Sequence, residues 1–137
     1  MGVLAIVGRA MIAGLGNDLV EVERIRRALE DPVTGRRFRR RVFTEREQRY
    51  CDGQKSRYES YAARFAAKEA VMKALGAGWG RHAGWRDVEV VRQPGSRPAV
   101  VLHGRAKEFA ERAGVARIHL ALTHTANYAL AQVTAET

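Results

Sequence analysis

Apolar side chains recur along this chain at spacings that predict nine elements. Met11 to Leu15 forms a short apolar run that reads as a buried strand. After Gly16-Asn17-Asp18, the spacing of Val22, Ile25 and Leu29 predicts a helix from about Leu19 to Leu29. Pro32 and Gly35 mark a turn, and Thr44-Glu45-Arg46-Glu47 has the pattern of a capping box, opening a helix to about Cys51. A long helix follows from about Tyr58 to Leu75 and stops at Gly76-Ala77-Gly78-Trp79-Gly80. Asp87 to Arg92 and Ala99 to Leu102 read as strands across a Pro94-Gly95-Ser96 turn, and Arg105 to Ala113 reads as a helix ended by Gly114. Ile118 to Thr123 and Tyr128 to Val133 close the series as strands joined by His124-Thr125-Ala126-Asn127. This order predicts a single α+β domain in which a largely antiparallel sheet packs on the long helix.

The long helix is unusual in where its charges fall. At about 100° per residue, Ala63, Ala66, Ala67, Ala70 and Ala74 gather on one flank, a small-residue surface that another element can approach closely. The opposite flank mixes Arg64, Lys68, Glu69 and Lys73 with Tyr61, Phe65, Met72 and Leu75. A helix apolar nearly all round is a buried helix. Some of its charges therefore share a surface with groups that favour burial, and buried charges require a partner or a ligand.

Composition narrows the class. The chain has 137 residues, enough for one core without metal or disulfide staples. Its single cysteine, Cys51, excludes an internal disulfide framework. No apolar run is long enough for a transmembrane helix, so no membrane association is expected and the cytosol is the expected compartment. Residues 1–10 read as an extension or tag remnant, with Met11 opening the folded unit. The formal charge of +9 implies an anionic partner. Ten arginines against four acidic residues lie between Arg24 and Arg49, densest at Arg36-Arg37-Phe38-Arg39-Arg40-Arg41. Such a cluster suits a nucleic acid, an acidic protein, or simply a solvated face.

Several ionisable residues admit both plain and chemical readings. Asp18, with Glu21 three residues later, has the look of a helix cap. Glu69 and Lys73 are spaced i, i+4 and suit a surface ion pair. His124 sits in a tight turn where it could bond its own loop, and the glycines at 76, 78 and 80 suit an ordinary helix stop.

Taken together and in order, three segments resemble one family. They are Gly14-Leu15-Gly16-Asn17-Asp18, the run from Arg64 through Phe65-Ala66-Ala67-Lys68-Glu69-Ala70 to Lys73, and Leu122-Thr123-His124-Thr125. From Met11 to about Val133 the chain resembles the holo-acyl-carrier-protein synthases, the small bacterial class of 4′-phosphopantetheinyl transferases. Many members carry serine where this chain has Ala121, which has no hydroxyl to offer.

The resemblance implies the 4′-phosphopantetheinyl transferase fold and transfer of phosphopantetheine from coenzyme A to a serine of an apo acyl carrier protein, in support of fatty acid synthesis. It implies Asp18 and Glu69 as ligands of Mg2+, and Asp18, Glu69 and Lys73 as catalytic residues, with Lys73 stabilising the leaving phosphate. It implies Arg64, Lys68, Gly80 and His124 as coenzyme A contacts. Arg24, Arg37, Phe38 and Arg41 would dock an acidic acyl carrier protein. Members are typically homotrimers with active sites between subunits. Two other readings remain at this point: a basic nucleic-acid-binding module, which would leave Asp18, Glu69, Lys73 and His124 without a role, and the same transferase acting on carrier domains of polyketide or peptide synthetases.

Overall fold

The long helix organises the structure, a computed structural model that describes residues 9–137. Most of the expected N-terminal extension, residues 1–8, lies outside the described residues. In chain order the elements are β1 (Ile12–Glu21), α1 (Val22–Glu30), α2 (Gly35–Val42), α3 (Glu45–Asp52), α4 (Arg57–Leu75), a 3-10 turn (Trp85–Asp87), β2 (Val88–Val91), β3 (Ala99–Leu102), α5 (Gly104–Arg112), β4 (Arg117–His124) and β5 (Tyr128–Glu136). The expected α+β class holds, and no helix among the described residues is long and apolar enough to cross a membrane.

Alanines let α4 lie close to the sheet. Ala62, Ala63, Ala66, Ala67 and Ala70 are all buried, as are Ala129, Ala131, Val133 and Ala135 on β5. The closest approach is at β1, where a Cβ on Gly14 or Gly16 would overlap the backbone carbonyl oxygens of Ala74 and Ala70. Only glycine allows strand and helix to meet this way. Alternation along the strand then puts Gly14, Gly16, Asp18 and Val20 on the helix side. Leu15 and Leu19 point outward, each 62% exposed.

Five expectations change. The Met11 to Leu15 segment is not a buried strand, because β1 sits at the edge of its sheet and turns Met11, Ile12 and Leu15 to the surface. Asp18 does not cap a helix: β1 continues to Glu21, Asp18 stands opposite Ala131 of β5, and α1 begins at Val22. The glycines that seemed to end the strand instead fit it against α4. The arginine-rich run folds into an additional helix, α2, whose Val42 is buried and whose Phe38, one turn back, is half-buried against the core. The strands also form two sheets, a three-stranded antiparallel one ordered β1-β5-β4 and a β2-β3 hairpin. The capping box at Thr44 is formed as the pattern requires, with Thr44 Oγ1 accepting from the Glu47 amide and Glu47 Oε1 accepting from the Thr44 amide.

Candidate active site

Asp18 and Lys73 meet where β1 crosses the last turn of α4. Lys73 Nζ lies 3.2 Å from Asp18 Oδ1 and donates to the Asn17 carbonyl at 3.0 Å. The carboxylate is largely covered while the lysine side chain is half exposed. Glu69 sits one turn back along α4, half-buried. The surface pair expected between Glu69 and Lys73 is replaced: among the described residues, Lys73 pairs with Asp18, and Glu69 Oε1 accepts from the indole Nε1 of Trp79 at 3.1 Å. Asp18 and Lys73 therefore meet at one edge of the strand-helix crossing, open to solvent at Lys73, with Glu69 one helical turn away.

The loop after α4 turns back over this edge. Gly76 ends the helix at φ 68°, a left-handed conformation suited to glycine. The Gly78 amide donates to His82 Nδ1 at 2.8 Å, and the Gly80 amide donates to the Ala83 carbonyl at 2.8 Å. Gly80 itself is exposed, and its carbonyl accepts from Arg105 Nη1 at 3.1 Å. Trp79 stacks on Trp85 with ring centres 4.0 Å apart, and Trp85 stacks on Phe65 at 5.1 Å. Beyond the tryptophans opens a groove of about 1120 Å3, walled by Arg36, Arg37, Arg40, Arg41, Arg86 and Arg105 around Trp79, Gly80 and Trp85.

The docking candidates share the α1-α2 side of the molecule. Arg37, Phe38 and Arg41 line a shallow depression of about 230 Å3 with Ala28 and Thr34. The Arg24 guanidinium lies 5.4 Å from the centre of the Phe65 ring, and Phe65 is in turn 6.4 Å from the Phe38 ring. Positive charge at Arg24, Arg37 and Arg41 thus surrounds the half-buried Phe38 on this surface, with Phe65 beneath.

Residues 14–133 match the sequence profile of the 4′-phosphopantetheinyl transferase superfamily. The chain belongs to that superfamily. A holo-[acyl-carrier-protein] synthase of Koribacter versatilis is 47% identical over 126 residues, covering 92% of this chain and 99% of the relative. The crystal structure of holo-[acyl-carrier-protein] synthase from Neisseria meningitidis aligns with TM-score 0.83 at 29% identity, over 93% of this chain and 100% of that one. The Bacillus anthracis holo-(acyl-carrier-protein) synthase, solved in complex with CoA (3′,5′-ADP), aligns with TM-score 0.75 at 32% identity, over 93% of this chain and 98% of that one.

For a transferase of this superfamily, two expected coenzyme A contacts are in an unexpected place. Lys68 has no exposed surface, and its ammonium donates to Glu47 Oε1 at 2.8 Å, to the Val88 carbonyl at 2.5 Å and to the Trp85 carbonyl at 3.2 Å. All three donors of an ammonium are spent. Burial pulls the Lys68 pKa below its ordinary value, against the opposing pull of Glu47. Arg64 is also buried, stacked 4.1 Å over the Tyr50 ring with Nη1 donating to Ser60 Oγ at 3.3 Å. In this chain the Lys68 ammonium has no donor left over, Arg64 spends Nη1 on Ser60, and the two side chains tie α4 to α3 and to the β2-β3 hairpin.

His124 lies apart from the Asp18 group. Its Nδ1 is 2.8 Å from Glu59 Oε1, in the first turn of α4. Ten residues of helix separate Glu59 from Glu69, about 15 Å at 1.5 Å per residue. Within one chain Asp18 therefore meets Lys73, with Glu69 one helical turn away, while His124 lies on a different part of the surface.

Sequence reading passed over Glu47, Glu59 and Trp79 as partners. Glu47 was legible only as a cap, yet its second oxygen also accepts from the Val90 amide at 2.8 Å. Trp79 carried a usable signal: an indole has one donor and no acceptor, and a tryptophan set among glycines after a helix must place that donor somewhere.

Proposed function

We propose that this protein transfers the 4′-phosphopantetheine group of coenzyme A to a serine of an apo acyl carrier protein, with release of adenosine 3′,5′-bisphosphate. The observation that carries this reading is the contact of Asp18 with Lys73, one helical turn from Glu69, in a chain of this superfamily. The serine oxygen forms a bond to the phosphorus that bears pantetheine, and the bond from that phosphorus to the bridging pyrophosphate oxygen breaks. Such a transfer depends mainly on positioning and on compensating negative charge. Lys73, fixed by Asp18 and the Asn17 carbonyl, supplies positive charge to the departing bisphosphate. Glu69 presents a carboxylate beside it, a suitable acceptor for the serine proton.

The donor set fits Mg2+. No group of three or more His, Cys, Asp or Glu side chains that could hold a metal occurs among the described residues. Mg2+ seldom uses such a cage and takes one or two carboxylates together with phosphate oxygens and water. Asp18 and Glu69 are the pair that would hold it. When bound, the ion would neutralise charge on the pyrophosphate oxygens.

The basic α1-α2 surface supports an acidic carrier protein as acceptor, with Arg24, Arg37, Phe38 and Arg41 in contact. Carriers of fatty acid synthesis are the natural substrates on this reading. His124 and Gly80 would contact coenzyme A. The outer face of the β1-β5-β4 sheet, where Leu15, Leu19, Tyr128 and Leu130 are exposed, supports association of three copies. On this reading, residues of a neighbouring copy would complete a site that a single chain leaves divided. Incubation with coenzyme A, Mg2+ and an apo carrier protein tests the activity: adenosine 3′,5′-bisphosphate should appear in step with holo carrier, and a chelator should stop both.

A further inference from the structure

Glu69 is held by a residue outside the set assigned to the reaction. Its Oε1 accepts from the Trp79 indole at 3.1 Å, and Lys73, the partner its spacing offers, is engaged by Asp18. The indole is itself held. One face stacks on Trp85 at 4.0 Å with the rings 17° from parallel, and the Trp85 carbonyl accepts from the buried Lys68 ammonium. Bonds at Gly78 and Gly80 fix the backbone on either side.

We propose that Trp79 is a positioning residue for Glu69. The indole engages one carboxylate oxygen and so leaves the other turned to the substrate side. A glutamate side chain loses considerable rotamer freedom when ordered. Here a rigid ring with a single donor supplies that ordering from within the chain. The chain from Glu47 through Lys68 and Trp85 to Trp79 thereby connects the buried ion pair to the carboxylate at the surface. This inference rests on the role given to Glu69 above.

Trp79→Phe keeps an aromatic ring for the stack and removes the donor. Three readouts decide the matter. In the free protein labelled with 15N, the Trp79 indole N–H resonance, identified by its loss in W79F, should shift and exchange faster with solvent in Glu69→Ala; an unmoved resonance would overturn the contact. Calorimetric titration of Mg2+ into the protein with coenzyme A present should give affinity weaker by about 10- to 100-fold in W79F, the usual effect of losing a partner that orients a metal ligand. With carrier protein added, kcat should fall by a similar factor while the KM for carrier stays within about twofold of wild type. Unchanged Mg2+ affinity and kcat in W79F would overturn the proposal. Should the wild-type protein fail to modify any carrier, the proposed reaction fails, while the resonance and the calorimetry still decide whether Trp79 holds Glu69.

Discussion

Lys73 Nζ lies 3.2 Å from Asp18 Oδ1, a contact between residues 55 positions apart. The contact depends on how closely β1 lies on α4. Gly16 sets that distance, since a Cβ there would overlap the Ala70 carbonyl. Gly16→Ala should push the strand away, lower stability by about 1–3 kcal/mol, and separate Asp18 from Lys73. Urea denaturation checks the first effect. Carrier modification by the protein that remains folded checks the second, with a larger loss expected than the fraction unfolded explains.

Lys68 gives a contrasting case. It forms a fully buried ion pair with Glu47, so Lys68→Met alone leaves a buried carboxylate without its cation. The expected loss is about 3–5 kcal/mol, and replacing both partners with apolar residues should restore much of it. In the stabilised double variant the KM for coenzyme A should stay within about twofold of wild type, since neither group reaches the surface. A KM raised about tenfold or more would return Lys68 to the binding site.

Charge reversal separates the two substrates. Arg24→Glu should raise the KM for carrier protein about tenfold or more, and more steeply at low salt, because a surface cation acts mainly on encounter and orientation. The affinity for coenzyme A, measured by calorimetry without carrier, should stay unchanged.

Acid stability should report on Glu89. Burial acts to raise its pKa, yet hydrogen bonds from Thr44 and His103, with the positive charge of His103 and Arg46, together hold the carboxyl below its ordinary value of 4.5. A carboxyl whose folded value is depressed stabilises the protein above its unfolded pKa, and that stabilisation is lost as pH falls through the folded value. Between about pH 5 and pH 3, the urea midpoint of Glu89→Gln should therefore fall less steeply than that of the wild type.

How far the sequence predicts these features depends on whether the determining contact is local. The capping box at Thr44 and the extent of α4 were legible, because both are set within a few residues. The second half of β1 was not: Gly16 and Asp18 read as a turn and a cap, and only the distant backbone of Ala70 and Ala74 makes that glycine a point of strand-helix contact. Glu69 and Lys73 were recognisable as a pair by spacing, but their true partners, Trp79 and Asp18, come from other elements. Lys68 carried a sequence signal, a charge on a buried helix, but its partner in the fold, Glu47, comes from another element.

The intact mass of an apo carrier protein, taken after incubation with this protein, coenzyme A and Mg2+, tests the central claim most directly. The account predicts one phosphopantetheine per carrier with the wild type and almost none with Asp18→Ala or Glu69→Ala, both still folded. A carrier that stays unmodified with the wild type, or is modified equally well by either variant, would contradict it.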